Sequence, residues 1–317
     1  MSGEKSDQPR VVVLDGNTYG NNVDLDKIAS CGKVNVYDSS KPSEVYKRIK
    51  YADVVVTNKA RISKNDIKRS KNLDLIIVAA SVIETVDVQA ANKHNVKVKC
   101  ASNYAVSSVT QLTYSLILAI MSKIEYYSKY VETGSYSRQS SFSHIGEGFH
   151  ELNNKIVGVI GLGSIGERVA SVASSFGAEA IYYSTTGNNN NPDYRRMPLV
   201  PLLNHSDVVT IHCEYNSNTK KLICIEEMRE MKDSSILINT ARGGIVDEHD
   251  LALAIDDKII SGAGVDVFEE EPIRADNPLM NVVERDRVIL TPHCGWGSDE
   301  AGKELTNTII STLKHYL

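Results

Sequence analysis

The chain has 317 residues, 42% hydrophobic and 24% charged, with 35 basic against 40 acidic side chains and a formal charge of −5. That length exceeds one ordinary core and calls for two domains, and the mild acidity gives no electrostatic reason to bind nucleic acid or an anionic membrane. Cys31, Cys100, Cys213, Cys224 and Cys294 are scattered and form no CxxC pair, which excludes a disulfide scaffold or zinc site as an expectation; with a polar N-terminus and no bilayer-length apolar run, a cytoplasmic location is expected.

Short β-branched runs alternate with helical patterns along the chain: residues 11–14 (VVVL), 54–56 (VVV), 75–78 (LIIV), 96–98 (VKV), 156–160 (IVGVI) and several more. This alternation predicts α/β architecture, parallel sheets with helices on both faces. Between the fourth and fifth runs, residues 107–124 (SSVTQLTYSLILAIMSKI) predict a long apolar connecting helix, and the Ser- and Gly-rich residues 134–148 a surface loop. Tyr126, Tyr127 and Tyr130, near the end of that helix, are expected to pack or to lie at an interface rather than to form a binding platform.

Residues 155–170 (KIVGVIGLGSIGERVA) combine an apolar strand, Gly161, Gly163 and Gly166 in GxGxxG spacing, and a helix. The glycines permit a tight turn, close approach of a pyrophosphate and helix-on-strand packing. The helix N-terminus, with Ser164 and Ile165, offers free N–H groups and a positive dipole end. This predicts a dinucleotide site. The next strand ends in Ser184, Thr185 and Thr186 instead of the Asp or Glu that holds the ribose of NAD; Arg195 and Arg196 come later. The expected cofactor is NAD or NADP, with NAD favoured. Residues 188–191, four asparagines before Pro192, read as a solvated turn. His212 and Cys213 end a further strand and read as wall of the cofactor cleft, with no metal site expected.

Three downstream segments end strand-like runs: NTARGGIVDE with Arg242, GVDVFEEEP with Glu271, and TPHCGWGS with His293. Singly, each residue has a plainer explanation: Arg242 as a surface ion-pair partner, Glu271 as one of three consecutive acids, His293 as a strand-end histidine. Jointly they supply what reduction of a 2-keto acid needs. A guanidinium fork holds the substrate carboxylate and polarises the keto oxygen, an imidazole delivers the proton, and a carboxylate orients the imidazole. Cys294 beside His293 has no separate base, so it is not expected to act as a nucleophile.

In order and spacing, these segments resemble the D-isomer-specific 2-hydroxyacid dehydrogenase family over nearly the whole chain, nearest its glycerate dehydrogenase and hydroxypyruvate reductase branch. The resemblance implies two doubly wound domains. A flavodoxin-like substrate domain comprises residues 1–101 and 292–317, and a Rossmann cofactor domain residues 102–291, with hinges near Ala101 and Pro292. It implies catalytic roles for Arg242, Glu271 and His293. Asp266, Thr240, Ala241, Thr219 and Gly295 are expected beside the cofactor, together with Gly161, Gly163, Ser164, Ile165, Gly166, Ser184, Thr185, His212 and Cys213. Lys59, Ser81, Val82 and Trp296 are expected at the substrate. A homodimer is also implied, with the helix from Ser107 supplying part of the interface.

Departures from the family pattern bear on substrate choice. In AASVIETVD, Val82 stands where a Gly-containing carboxylate cradle is usual, and a β-branched residue avoids positive φ, so the pocket is expected to be narrowed or reshaped. Glu214 stands where Pro is usual. Two rival functions share the fold: a cofactor-sensing interaction protein, disfavoured by the retained Arg, Glu and His and by the lack of an appended tail, and a relative oxidising formate or phosphite. Formate specialists usually pair the histidine with Gln, so Glu271 speaks against that rival.

Overall fold

A computed structural model describes residues 9–146 and 148–316. The chain forms two compact units, one holding the residues up to Ser108 and those from Trp296 onward, the other residues 109–295. The divisions fall a few residues after 101 and 292. Ser108 Oγ accepts the N–H of Ser298 within the first unit, and residues 291–295 are bound to Asp266 in the second by Thr291, Cys294 and Gly295.

In the first unit, β1 (Arg10–Val13), β2 (Lys33–Val36), β3 (Val54–Thr57), β4 (Leu75–Val78) and β5 (Lys97–Cys100) make a parallel sheet of order β2-β1-β3-β4-β5. Every residue of β3 and β4 is buried, as expected of strands covered on both faces. The edge strands KVNV and KVKC alternate lysine or asparagine with apolar residues, which blunts the edges; β2, too polar for a β-branched run, was not signalled by the sequence pattern. Val12, Val55, Ile76 and Ile62 pack on one face. On the other, Val11, Val54 and Ile77 meet Leu305, Ile309, Ile310 and Leu313 of the C-terminal helix Asp299–Tyr316. The winding reverses between β1 and β3, leaving a crevice at their C-terminal ends.

The second unit contains β6 (Ile156–Ile160), β7 (Glu179–Tyr183), β8 (Arg195–Arg196), β9 (Val208–Ile211), β10 (Ile236–Asn239), β11 (Gly262–Val265) and β12 (Val288–Leu290). All are parallel, in the order β12-β11-β10-β9-β6-β7-β8, so the winding reverses between β6 and β9. The fold is therefore two doubly wound α/β units. Burying the apolar runs of β9, β10 and β11 on both faces is what fixes the second sheet.

The long helix expected over 107–124 is broken. Val106–Met121 ends before Lys123, which adopts φ 51°, and a second helix follows over Ile124–Glu132. The first buries Val109, Thr113, Tyr114, Leu116 and Ile117 within its own fold; the second buries none of its residues. Among the described residues no helix is long and apolar enough to cross a membrane.

Candidate active site

The glycine turn lies where the winding of the second sheet reverses. Gly161 follows β6 with φ 91°, and a Cβ there would stand 2.8 Å from the backbone of Cys213, just past β9. A Cβ at Gly166 would collide with the Gly161 carbonyl, so the helix Ser164–Ser175 can approach the strand this closely only with glycine. Gly163, the N-cap, has nothing within 4 Å of its Cβ position and faces open space. The N–H groups of the first turn, including those of Ser164 and Ile165, have no acceptors within the helix. A cradle tight against the protein and open on its outer side, lined by N–H groups, fits the pyrophosphate of a dinucleotide.

Around this turn, His212 Nε2 lies 2.8 Å from Thr210 Oγ1, while its buried Nδ1 has no partner. Burial pushes the imidazole down to about 3, so it is neutral at physiological pH, and burial pushes the Cys213 thiol up to about 12. Both behave as uncharged wall. Thr219 is buried, and its hydroxyl donates to the Glu214 carbonyl at 2.7 Å and accepts from the Asn216 N–H at 2.8 Å. Its side chain shapes the 214–219 loop. Ser184 is buried and Thr185 half-buried at the end of β7.

Arg242, Glu271 and His293 follow the C-terminal ends of β10, β11 and β12. His293 Nδ1–H donates to Glu271 Oε2 at 2.7 Å, and Glu271 Oε1 accepts the Phe268 N–H at 3.1 Å. The bond to Glu271 assigns Nδ1 as the protonated nitrogen and leaves Nε2 to exchange protons. His293 adopts φ 52°, held there by its N–H on the Asp266 carbonyl at 2.8 Å. Arg242 is half-buried; its Nη1 donates to the Ala241 carbonyl at 2.8 Å.

Asp266, expected beside the cofactor, is bound by the loop that carries His293. It is 1% exposed and accepts from Thr291 Oγ1 at 2.6 Å and from the N–H groups of Cys294 and Gly295 at 2.9 Å each. The side chain thus fixes the loop carrying His293, and Gly295 is buried as part of that anchor. Desolvation and then the Asp266 charge hold the Cys294 thiol above its ordinary value, which leaves little thiolate for a nucleophile.

Several contributors escaped the sequence reading. A Cβ at Gly243 would collide with the Phe268 carbonyl, so this glycine lets the Arg242 turn lie directly on the segment leading to Glu271. Asn239 donates its amide to the Arg242 carbonyl at 3.0 Å and accepts the Ala241 N–H at 3.1 Å, shaping the same turn. Thr240 meets Thr113 hydroxyl to hydroxyl at 3.0 Å. The glycine pair in RGG was the available signal for Gly243; nothing local marked Thr113.

Lys59, Ser81, Val82 and Trp296 belong to the first unit. Lys59 follows β3 and is exposed; Ser81 and Val82 follow the neighbouring β4, exposed and half-buried. None of residues 79–86 has positive φ, so the loop runs in conformations open to valine.

Residues 114–295 match the family model described as D-isomer specific 2-hydroxyacid dehydrogenase, NAD binding domain. A hydroxypyruvate reductase of Blautia hydrogenotrophica is 30% identical over 314 residues, 97% of each chain. A glycerate dehydrogenase of Methylorubrum extorquens is 31% identical over 276 residues, 87% of this chain and 86% of that one. In fold, an acyclic imino acid reductase solved with NADPH and D-Arg matches with a TM-score of 0.85 at 24% identity, covering 97% of this chain and 96% of that one. The chain belongs to the D-isomer-specific 2-hydroxyacid dehydrogenase family. It is an oxidoreductase that uses a nicotinamide dinucleotide to interconvert a 2-keto acid and its 2-hydroxy acid.

Proposed function

We propose that this enzyme reduces a small 2-keto acid of the hydroxypyruvate or glyoxylate type, or oxidises the corresponding D-2-hydroxy acid. The observation that carries the reading is the 2.7 Å His293–Glu271 pair beside the Arg242 turn. When bound, the dinucleotide supplies the hydride in reduction and accepts it in oxidation. The chain's own residues handle charge and proton. Arg242 holds the substrate carboxylate and draws electron density toward the keto oxygen. His293 Nε2 gives a proton to that oxygen as the carbonyl carbon gains the hydride, yielding the hydroxyl, and Glu271 stabilises the imidazolium from which the proton comes. Asp266 acts through the loop, as a positioning residue. In this reading the second unit is the cofactor domain and the first the substrate domain, with Lys59, Ser81, Val82 and Trp296 as substrate contacts. Relatives named hydroxypyruvate reductase and glycerate dehydrogenase, matched over most of their length, support the small substrate.

Loss of reduced-cofactor absorbance against hydroxypyruvate, glyoxylate, pyruvate and branched 2-keto acids tests this. The expected order has hydroxypyruvate or glyoxylate first in kcat/KM; turnover confined to the branched acids would overturn the substrate class.

A homodimer belongs to the same reading, and exposed apolar residues after the helix Val106–Met121 support an interface there. The helix Val106–Met121 buries six residues and leaves 118–121 half-buried, and beyond it Ile124, Val131, Phe142, Ile145 and Phe149 are exposed, Phe142 at 89%. Tyr126, Tyr127 and Tyr130 cluster there around His144, whose ring stacks on Tyr130 at 3.8 Å. Phe142→Asp should therefore yield a monomer by sedimentation; a dimer unchanged at micromolar protein would place the interface elsewhere. The five unpaired cysteines, Cys294 exposed among them, support a cytoplasmic location; a periplasmic or secreted pool on fractionation would refute it.

A further inference from the structure

We propose that this enzyme prefers the 2′-phosphorylated dinucleotide, NADP(H), and that Arg196 is the residue that selects it. The proposal rests on the dinucleotide reading of the Gly161–Gly166 turn and reverses the preference for NAD drawn from sequence alone.

In a unit of this topology the adenosine ribose lies beyond the C-terminal end of the second strand, here β7, where NAD-preferring chains place a carboxylate on the 2′-hydroxyl. Residues 184–192 contain no acid at all; the first after β7 is Asp193. The negative charge that would repel a 2′-phosphate is therefore missing from the loop itself.

That loop is a turn with Asn188 and Asn190 exposed, as its asparagines suggest, but Asn189 and Asn191 are half-buried and tie it to the protein. Asn189 donates its side-chain amide to the Leu162 carbonyl at 2.6 Å, which ties the loop to the phosphate-binding turn, and its N–H to Ser184 Oγ at 3.3 Å. Tyr182 Oη donates to the Asn189 carbonyl and accepts the Asn191 N–H, both at 3.1 Å. The loop is fixed beside the place where the ribose would follow from the pyrophosphate.

Arg196 reaches this loop from the edge strand. It pairs with Tyr182 across β7 and β8; Nη1 donates to Asn190 Oδ1 at 2.8 Å and to the Asn189 carbonyl at 3.4 Å, and Nη2 lies 3.8 Å from the Cβ position of Gly187. Among the described residues no carboxylate forms an ion pair with Arg196: its partners are neutral and leave its charge uncompensated. Glu167 on the helix, whose carboxylate touches the loop, is engaged by the Asn191 amide at 3.3 Å. A planar guanidinium with no carboxylate partner, held on the loop that follows Ser184, Thr185 and Thr186, is the chemistry that recognises a phosphate dianion.

The test is equilibrium binding to the free enzyme without substrate, by fluorescence or calorimetry, of NADPH, NADH, 2′,5′-ADP and 5′-AMP. NADPH should bind at least about tenfold more tightly than NADH, and 2′,5′-ADP more tightly than 5′-AMP, a gap worth about 1.4 kcal/mol. Arg196→Gln, an exposed edge substitution, should weaken NADPH and 2′,5′-ADP about tenfold and leave NADH within about twofold. Thr185→Asp should turn the preference toward NADH. Equal or tighter NADH binding by the wild type overturns the proposal while leaving the oxidoreductase reading intact; an Arg196→Gln variant with full NADPH affinity overturns the residue assignment. Failure of every nucleotide to bind would instead sink the dinucleotide reading beneath it.

Discussion

Each unit anchors its C-terminal loops on one buried aspartate, and the two anchors differ in what they hold. In the second unit Asp266 gathers Thr291, Cys294 and Gly295, the residues flanking His293. In the first, Asp15, 3% exposed, accepts the N–H groups of Asn58 at 3.0 Å, Lys59 at 2.6 Å and Ala60 at 2.7 Å. Beside it the buried phenol of Tyr19 is pushed well above its ordinary value, by desolvation first and then by the Asp15 charge. The Asp266 anchor ends in an imidazole whose orientation is fixed again by Glu271. The Asp15 anchor also accepts the Thr57 hydroxyl at 3.4 Å and the Tyr19 hydroxyl at 3.5 Å, and it leaves the Lys59 side chain exposed. Rigid placement suits the proton-transfer step, which tolerates little error in distance; an anchored backbone with a free side chain suits a substrate contact that can adapt.

The largest expected effect lies on the rigid side. His293→Ala should cut kcat by about 10²–10⁴ while the dissociation constant of the reduced cofactor, measured without substrate, stays within about threefold. Comparable loss of both would mean that His293 serves the fold or the cofactor rather than the proton.

Substituting each anchor sharpens the comparison. In Asp266→Asn or Asp15→Asn the amide keeps one accepting oxygen and leaves buried N–H donors unmatched, at a cost of about 1–3 kcal/mol each. Both variants should melt earlier. If His293 is the proton donor as proposed, Asp266→Asn should act mainly on kcat, because it loosens the loop that carries it. If Lys59 contacts substrate as proposed, Asp15→Asn should act mainly on substrate KM, raising it roughly tenfold, because it loosens the Lys59 loop. Equal losses of stability with kcat and KM untouched in both would reduce the anchors to folding devices.

The same asymmetry explains what was legible in the sequence. Arg242, Glu271 and His293 each stand in a short segment with distinctive neighbours, and the glycine turn announces its backbone requirements through residue type. The α/β alternation was plain because strands buried on both faces must be apolar throughout. The Asp15 anchor was not legible, since it joins residues more than forty positions apart and any buried carboxylate could have served. Nor was the break at Lys123: an apolar run reads through it, and only the left-handed backbone there reveals that the second helix buries nothing. Asn188 to Asn191 were legible only in part, with Asn188 and Asn190 exposed as expected. Their composition suits a solvated turn, and the bond from Asn189 to the Leu162 carbonyl depends on the sheet order that sets β7 beside β6.

The smallest expected effect tests how far the first unit sets substrate choice. Val82 is half-buried in a loop without positive φ, so replacing it with glycine removes a branched side chain from a backbone that does not require glycine. The change should cost about 0.5–1 kcal/mol of stability through added unfolded-state freedom. If the valine narrows the pocket, Val82→Gly should improve kcat/KM for branched 2-keto acids by about tenfold or less, the scale of one or two methyl groups, and change hydroxypyruvate much less. An equal fall for every substrate would instead mean that Val82 holds the loop in shape, and substrate size would then have to be set by Lys59 or Trp296.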